Sequence, residues 1–408
     1  MRLFRCDTQG TSLLGDKKNF SNLSYSKMKR FDIDSIKDNN ECDVLFIVGT
    51  RPEIIKIFPI ARELHRRNIK FKIIFTGQHF HSSMVDIVNK LDNFGFYRKM
   101  VHIHGHYRNP IVKISELYNV IKSINPKIIM VQGDTDSTLA GAITCKKLEL
   151  KNSILCHIEA GLRSFDMRMP EEINRIIVDH ISDVLFCPTE LNAKILCYER
   201  CKGDVYITGN TIIDTLKLCL KHLNDNNVNY NNYFVATIHR RENIKDRKLL
   251  EYIFRFLDTV AEHTSTKCIL IRHPHTFDMI NRFGIDIHKY TNIIVKDPSG
   301  YLEFVKLMKN SKFIITDSGG IQEEANFLEI PCITVRESTE RIETVASGSN
   351  LIIRPSNIMI NINKCVNKAT EFVEKDIKFD RYIYGKGDSS KLIVDILENY
   401  YLGDFIDI

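Results

Sequence analysis

The feature that most constrains this chain is an alternation that runs along nearly all of it: a short apolar run, a turn of glycine and polar residues, then a stretch with helical apolar spacing. Residues 43–48, 71–75, 128–131, 154–158, 184–187 and 205–207 are the apolar runs of a first series. Helical stretches at 54–67, 82–91, 111–124, 137–148, 171–182 and 211–223 fall between and after them. An apolar run of four or five residues without alternation suits a parallel strand covered on both faces. Strand and helix in alternation predict a doubly wound α/β sheet. A polar, Asn-rich stretch at 224–232 is followed by a second series, with strands at 234–238, 268–271, 293–295, 313–315 and 332–335. Two Rossmann-like domains are expected, 43–206 and 207–384. The C-terminal helix within 385–408 is expected to pack back on the first, and 1–42 is a polar N-terminal extension. Ligands of such sheets bind at the carboxyl ends of the strands, so a cleft between the domains is the expected site.

Composition narrows the function. The chain has 408 residues, 57 basic and 51 acidic, for a net charge of +6. That charge is too diffuse for a nucleic-acid surface and suits small anionic ligands. No apolar run reaches the ~18 residues of a membrane helix, and the N-terminus lacks the apolar core of a signal peptide. The eleven cysteines sit singly, mostly inside apolar runs. They are read as reduced core residues of a cytoplasmic protein, neither disulfides nor zinc ligands. His102, His104 and His106 alternate, but Gly105, Asn109 and Pro110 mark a loop and no carboxylate is near, so no metal is expected. Gly49-Thr50-Arg51-Pro52 lacks the Gly-x-Gly-x-x-Gly spacing of a dinucleotide site, so no nicotinamide cofactor is expected either.

The stretch Lys312–Ala325 reads as strand, Asp-Ser-Gly-Gly turn, helix. Such a turn presents free N–H groups and the positive end of a helix dipole, and glycine lets a phosphate approach the backbone. It is a candidate nucleotide diphosphate site or else an ordinary glycine turn. Glu323 and Glu324 follow, and a carboxylate there can accept hydrogen bonds from a ribose. Elsewhere, polar residues fall immediately after strands: Arg51 and Lys56, Asp134, Glu159, then Arg163, Glu171 and Arg175 in the first series. In the second they are His239-Arg240-Arg241-Glu242, Arg272-His273-Pro274-His275 and Glu340-Arg341. Carboxylates on one side and a His/Arg cluster on the other suit acid/base work beside an anionic leaving group. Taken singly, each could be a cap or a solvated loop residue; Asp134 and Ser137 could simply cap the following helix.

Several segments together resemble the non-hydrolysing UDP-N-acetylglucosamine 2-epimerases. They are Gly-Thr-Arg-Pro-Glu-Ile-Ile-Lys (49–56), Thr-Gly-Gln-His (76–79), Gln-Gly-Asp-Thr-Asp (132–136) and His-Ile-Glu-Ala-Gly-Leu-Arg (157–163). Met-Pro-Glu-Glu-Ile-Asn-Arg (169–175), Thr-Gly-Asn-Thr (208–211), His-Arg-Arg-Glu-Asn (239–243), Thr-Asp-Ser-Gly-Gly-Ile-Gln-Glu-Glu (316–324) and Thr-Glu-Arg (339–341) complete the match, with Tyr-Gly-x-Gly near the end. The resemblance implies the GT-B arrangement, a homodimer, and neither nicotinamide nor metal. It implies UDP in the second domain, with Phe304 at the uracil, Ser318, Gly319 and Gly320 at the diphosphate and Glu324 at the ribose. Arg51, Lys56 and Arg341 match further substrate-binding positions. Asp134, Glu159, Glu171 and His239 match catalytic positions, with Arg175 grouped among them. Ser299 stands where many bacterial members carry Gln near the uracil, and Ile342 replaces the Pro that usually follows Thr-Glu-Arg. The loop from His102 to Asn109 does not match the bacterial stretch linked to activation by substrate. The implied reaction is epimerisation at C2 of UDP-N-acetylglucosamine by loss and return of UDP. Hydrolysing 2-epimerases, epimerases for modified UDP sugars, GT-B glycosyltransferases and non-catalytic sugar-nucleotide sensors are the rival readings.

Overall fold

The structure is a computed structural model. It describes residues 3–4, 42–77, 88, 90, 92, 94–103, 110–147, 153–223, 230–298 and 300–402. Among these are fourteen strands. The first eight are β1 (Leu3–Phe4), β2 (Val44–Val48), β3 (Phe71–Phe75), β4 (Met100–His102), β5 (Ile128–Gln132), β6 (Ile154–Ile158), β7 (Val184–Cys187) and β8 (Asp204–Ile207). They form one sheet in the order β1-β8-β7-β6-β5-β2-β3-β4. The remaining six are β9 (Tyr233–Thr237), β10 (Lys267–Ile271), β11 (Ile293–Lys296), β12 (Ile314–Thr316), β13 (Cys332–Thr334) and β14 (Asn350–Ile352). They form a second sheet, β11-β10-β9-β12-β13-β14. Every pairing is parallel except that of β1 with β8. The expected pair of doubly wound α/β domains is therefore what the chain forms.

Burial explains the apolar runs. All five residues of β2, β5 and β9 are buried, because helices cover both faces of each sheet. The order of strands then locates the ligand crevices. In the first sheet the chain winds one way from β2 through β3 to β4 and the other way from β5 to β8, so the loops after β2 and β5 diverge. In the second sheet the same reversal separates β9 from β12, where the chain continues into His239 and into Asp317-Ser318-Gly319-Gly320. The two halves of the chain meet through the loops after β6, β7 and β8 and the segments after β12 and β13: Arg341 reaches Glu159, Asn210 reaches Glu323, and Thr189 donates to Glu343 at 2.5 Å. The C-terminal helix Ser389–Leu397 lies against helices Arg51–Arg66 and Thr211–His222 of the first half. It is anchored where Asp214 accepts from the Ser389 and Ser390 amides at 3.2 and 2.8 Å.

Three local expectations are corrected. The helix expected from Ile321 begins at Gly319, so the Gly-Gly pair is its first turn and not a loop before it. Strands β4 and β14 were not anticipated; each is three residues long and lies at a sheet edge. In the extension, Leu3–Phe4 adds an antiparallel edge strand, with Leu3 opposite Tyr206.

Candidate active site

Glu159 sits at the centre of the cleft. It follows β6 directly and has φ of 70°, a left-handed conformation uncommon for a residue with a Cβ. Strain of this kind persists only where surrounding contacts fix it. Here Lys56 Nζ lies 2.6 Å from both carboxylate oxygens, Asn210 Nδ2 donates at 2.7 Å and Arg341 Nη2 at 3.1 Å. Gln132, at the end of β5, donates to the second oxygen. Burial disfavours the charged carboxyl, but Lys56 and Arg341 outweigh it and hold Glu159 below its ordinary value. Lys56 comes from helix Arg51–Arg66, whose first turn contains Pro52, as expected for a residue without an N–H to satisfy. Arg51 opens the same helix at the rim, half-buried.

Asp134 does not cap the helix after it. Thr135 does that, its hydroxyl accepting from the Ser137 and Thr138 amides at 3.2 and 3.3 Å. Asp134 is thereby left to pair with Arg175, whose Nη1 is 2.5 Å from its carboxylate. Arg175 is buried and its Nε donates at 2.9 Å to Glu172, which also accepts from the Ser164 and Phe165 amides. Glu171, one residue earlier on the helix Pro170–Ile181, faces Arg240 of the second half at 3.4 Å.

The second-half wall is built on Asp317. It is fully buried and accepts from the amides of His239 and Arg240 at 2.9 Å each and from Asn243 Nδ2 at 3.0 Å. Its other oxygen lies 2.9 Å from His239 Nδ1, so it orients the imidazole. Burial opposes the charge on Asp317; His239 and the two amides outweigh it and keep the carboxyl low. The His239 ring packs against His273 at 4.9 Å between centroids. Burial, together with His239 and His275, pushes His273 down to about 4, so it is neutral near pH 7.

Ser318 precedes the helix Gly319–Phe327 with extended backbone and does not cap it with its side chain, which leaves the first-turn amides without a side-chain cap. The two glycines differ. A Cβ on Gly319 would lie 2.5 Å from Glu340 Oε1, whereas one on Gly320 would meet nothing within 4 Å. Glu340 is buried among Arg336, at 2.7 Å, Arg341 at 3.5 Å and Arg240 at 3.8 Å. Burial opposes its charge, and these cations with Arg175 hold it well below the ordinary value. Glu324 accepts from the buried Tyr301 hydroxyl, and burial pushes its carboxyl up to about 7. Phe304, one turn beyond Tyr301, is half-buried.

The predicted residues thus fall into connected groups. Lys56 and Arg341 each touch Glu159, Asp134 touches Arg175, and His239 shares Asp317 with the turn that carries Ser318, Gly319 and Gly320. Ser299 lies outside the described residues, as do His104 and His106. Sequence reasoning left out Gln132, Asn210 and Asp317 as cleft residues, and it gave Glu323 and Glu340 no protein partner. Their signal is their position at strand ends and next to matched residues; their partners are remote in sequence. Among the described residues, His180, Glu199 and Cys201 bring possible metal-ligating atoms together, but Arg163 already holds both Glu199 oxygens at 2.9 and 2.6 Å.

Comparison with known proteins gives one consistent picture. A family model described as UDP-N-acetylglucosamine 2-epimerase matches residues 62–398. The UDP-N-acetylglucosamine 2-epimerase of Methanocaldococcus jannaschii is 38% identical over 367 residues, covering 86% of this chain and 97% of that protein. The UDP-2,3-diacetamido-2,3-dideoxy-D-glucuronate 2-epimerase of Pseudomonas aeruginosa is 35% identical over 364 residues, covering 87% of this chain and 99% of that protein. The crystal structure of the M. jannaschii enzyme in complex with UDP-GlcNAc and UDP superposes with a TM-score of 0.78 at 36% identity, over 87% of this chain and 99% of that one. No helix among the described residues is long and apolar enough to cross a membrane.

Proposed function

The chain belongs to the UDP-N-acetylglucosamine 2-epimerase family, and we propose that it interconverts UDP-N-acetylglucosamine and UDP-N-acetylmannosamine without hydrolysing the product. The C2 hydrogen of the sugar is not adjacent to a carbonyl and is weakly acidic. Breaking the C1–O bond first builds positive charge on the ring, which makes C2–H removable. The C–H electron pair then forms the C1=C2 bond of a 2-acetamidoglucal, while UDP keeps the pair from the broken C1–O bond. Return of a phosphate oxygen to C1 and of a proton to the opposite face of C2 gives the epimer. No nicotinamide or metal takes part, and the enzyme works as a cytoplasmic homodimer that feeds glycan synthesis.

The carrying observation is the composition of the cleft. Two first-half carboxylates, Glu159 and Glu171, meet the second-half cations Arg341 and Arg240, a third, Asp134, is held by Arg175 of its own half, and the turn at Gly320 is open. Charges beside the ring stabilise a cationic transition state and serve as acid and base at its two faces. In the proposed arrangement His239 and Arg341 hold the departing diphosphate with Ser318, Gly319 and Gly320, and Arg51 and Lys56 line the substrate. Arg175 orients Asp134, Glu324 holds the ribose, and Phe304 packs on the uracil with Ser299 near it. A modified UDP-N-acetylhexosamine is the second reading, supported by the identity to the P. aeruginosa relative. NMR of UDP-N-acetylglucosamine with the enzyme in deuterated water tests the proposal. The expected product is UDP-N-acetylmannosamine with deuterium at C2. Free N-acetylmannosamine plus UDP would mean a hydrolysing enzyme; product with protium at C2 would refute elimination. No turnover, but reaction of a 6-carboxylated analogue, would select the second reading.

A further inference from the structure

The helix Gly319–Phe327 carries two adjacent buried carboxylates into the cleft, and only Glu324 has a proposed ligand. Glu323 is completely buried. Both its oxygens accept from Asn210 Nδ2, at 2.9 and 3.0 Å, and Arg341 Nε lies 2.5 Å away. The same two donors also reach Glu159, Asn210 at 2.7 Å and Arg341 at 3.1 Å. Two carboxylates therefore share one amide and one guanidinium. The charged and titratable groups facing Glu323 are Lys56 from helix Arg51–Arg66, Glu159 after β6, Arg341 after β13, Tyr384 from the C-terminal segment and Glu324 on its own helix. Glu340 faces it across Arg341.

With all four ionised, Lys56 and Arg341 balance Glu159 and Glu323, and the group is neutral. A neutral group gives a diphosphate no net attraction. If Arg341 turns toward a phosphate, a buried carboxylate is left without its cation, which is costly unless it becomes neutral. Glu159 keeps Lys56 on both oxygens. Glu323 keeps only the uncharged Asn210. Burial, with Glu159 nearby, already pushes Glu323 up to about 7 against the pull of Arg341 and Lys56, while Glu159 is held low.

We propose that Glu323 is the charge-balancing residue of the cleft: as a nucleoside diphosphate binds and draws Arg341 to its phosphates, Glu323 takes up one proton from solvent. The inference rests on the reading of Arg341 as a diphosphate ligand. It is tested by titrating the full-length protein with UDP at pH 8 in buffers of different ionisation enthalpy. A phosphate group with an ordinary value of about 6 is itself fully ionised there. Wild type should take up about one proton per UDP, and its affinity should fall about tenfold per pH unit above 8. Glu323→Gln should bind UDP with no proton uptake and with a flat pH dependence. An infrared difference spectrum of wild type at pH 8 should gain the carbonyl band of a protonated carboxyl when UDP is added; this measurement needs no variant. UDP binding without proton uptake, or uptake and a carbonyl band that survive in Glu323→Gln, would overturn the inference. Failure of wild type to bind UDP at all would instead refute the diphosphate reading beneath it.

Discussion

Gly319 and Gly320 are neighbours in one helical turn, yet substitution should affect them in opposite ways. Both backbones are helical, so alanine meets no conformational barrier at either. At Gly319 the new methyl would stand 2.5 Å from a carboxylate oxygen of Glu340, which Arg336 fixes at 2.7 Å in a buried cluster. Neither can give way without breaking that pair, so Gly319→Ala should cost about 1–3 kcal/mol, the usual scale of overpacking. At Gly320 the methyl enters open space. Gly320→Ala should stabilise the helix by up to about 1 kcal/mol, because alanine gives up less backbone freedom on folding. Binding should run the other way. If that open space is where the diphosphate approaches the helix amides, a methyl group there holds it off. UDP affinity should then fall at least tenfold, about 1.4 kcal/mol. Melting temperatures report the first effect, and calorimetric titration with UDP the second. A Gly320→Ala protein that melts at or above wild type and binds UDP with unchanged affinity refutes the placement of the diphosphate. A Gly319→Ala protein as stable as wild type refutes the packing argument.

Asp134→Asn and Glu159→Gln should each lower kcat by about 10² to 10⁴, the contribution of a positioned acid or base, while calorimetry shows UDP still bound; a kcat within threefold of wild type would remove that residue from the chemistry. Acid stability follows from Asp317 and Glu340, both held below their ordinary values of 3.8 and 4.5 against the effect of burial, Asp317 by His239 and two backbone amides and Glu340 by the surrounding arginines. The folded state therefore binds fewer protons than the unfolded chain, so their stabilisation is complete above those values and is lost as pH falls below them. Acid unfolding followed by circular dichroism should set in below about pH 4, and Asp317→Asn should be less stable than wild type at pH 7 yet show a shallower acid limb; an unchanged limb would mean that Asp317 is not the group being titrated.

The fold was legible because a parallel strand covered on both faces has to be apolar along its length, as β2 is throughout and as β5 and β9 are up to their last residues, Gln132 and Thr237. The strands that escaped are those exempt from this requirement: β4 and β14 are short edge strands and carry His102 and Asn350. The cleft was legible for a related reason. Polar residues directly after buried strands have few places to go but the crevice, and Asp134, Glu159 and His239 all lie there. Which charges meet was not legible. Glu159 finds Lys56 across 103 residues and Arg341 across 182, and no local pattern encodes such pairings. Asn210 makes the limit plain. Its Oδ1 accepts from the Ile212 amide at 3.1 Å, so it caps a helix, and in sequence that duty accounts for it completely. Its Nδ2 is nevertheless the donor shared by Glu159 and Glu323. A residue with a sufficient local role can therefore hide a long-range one. Because Asn210 is uncharged, it can join two carboxylates from the two halves of the chain without neutralising either, and Arg341 is left as the cation that a phosphate must compete for.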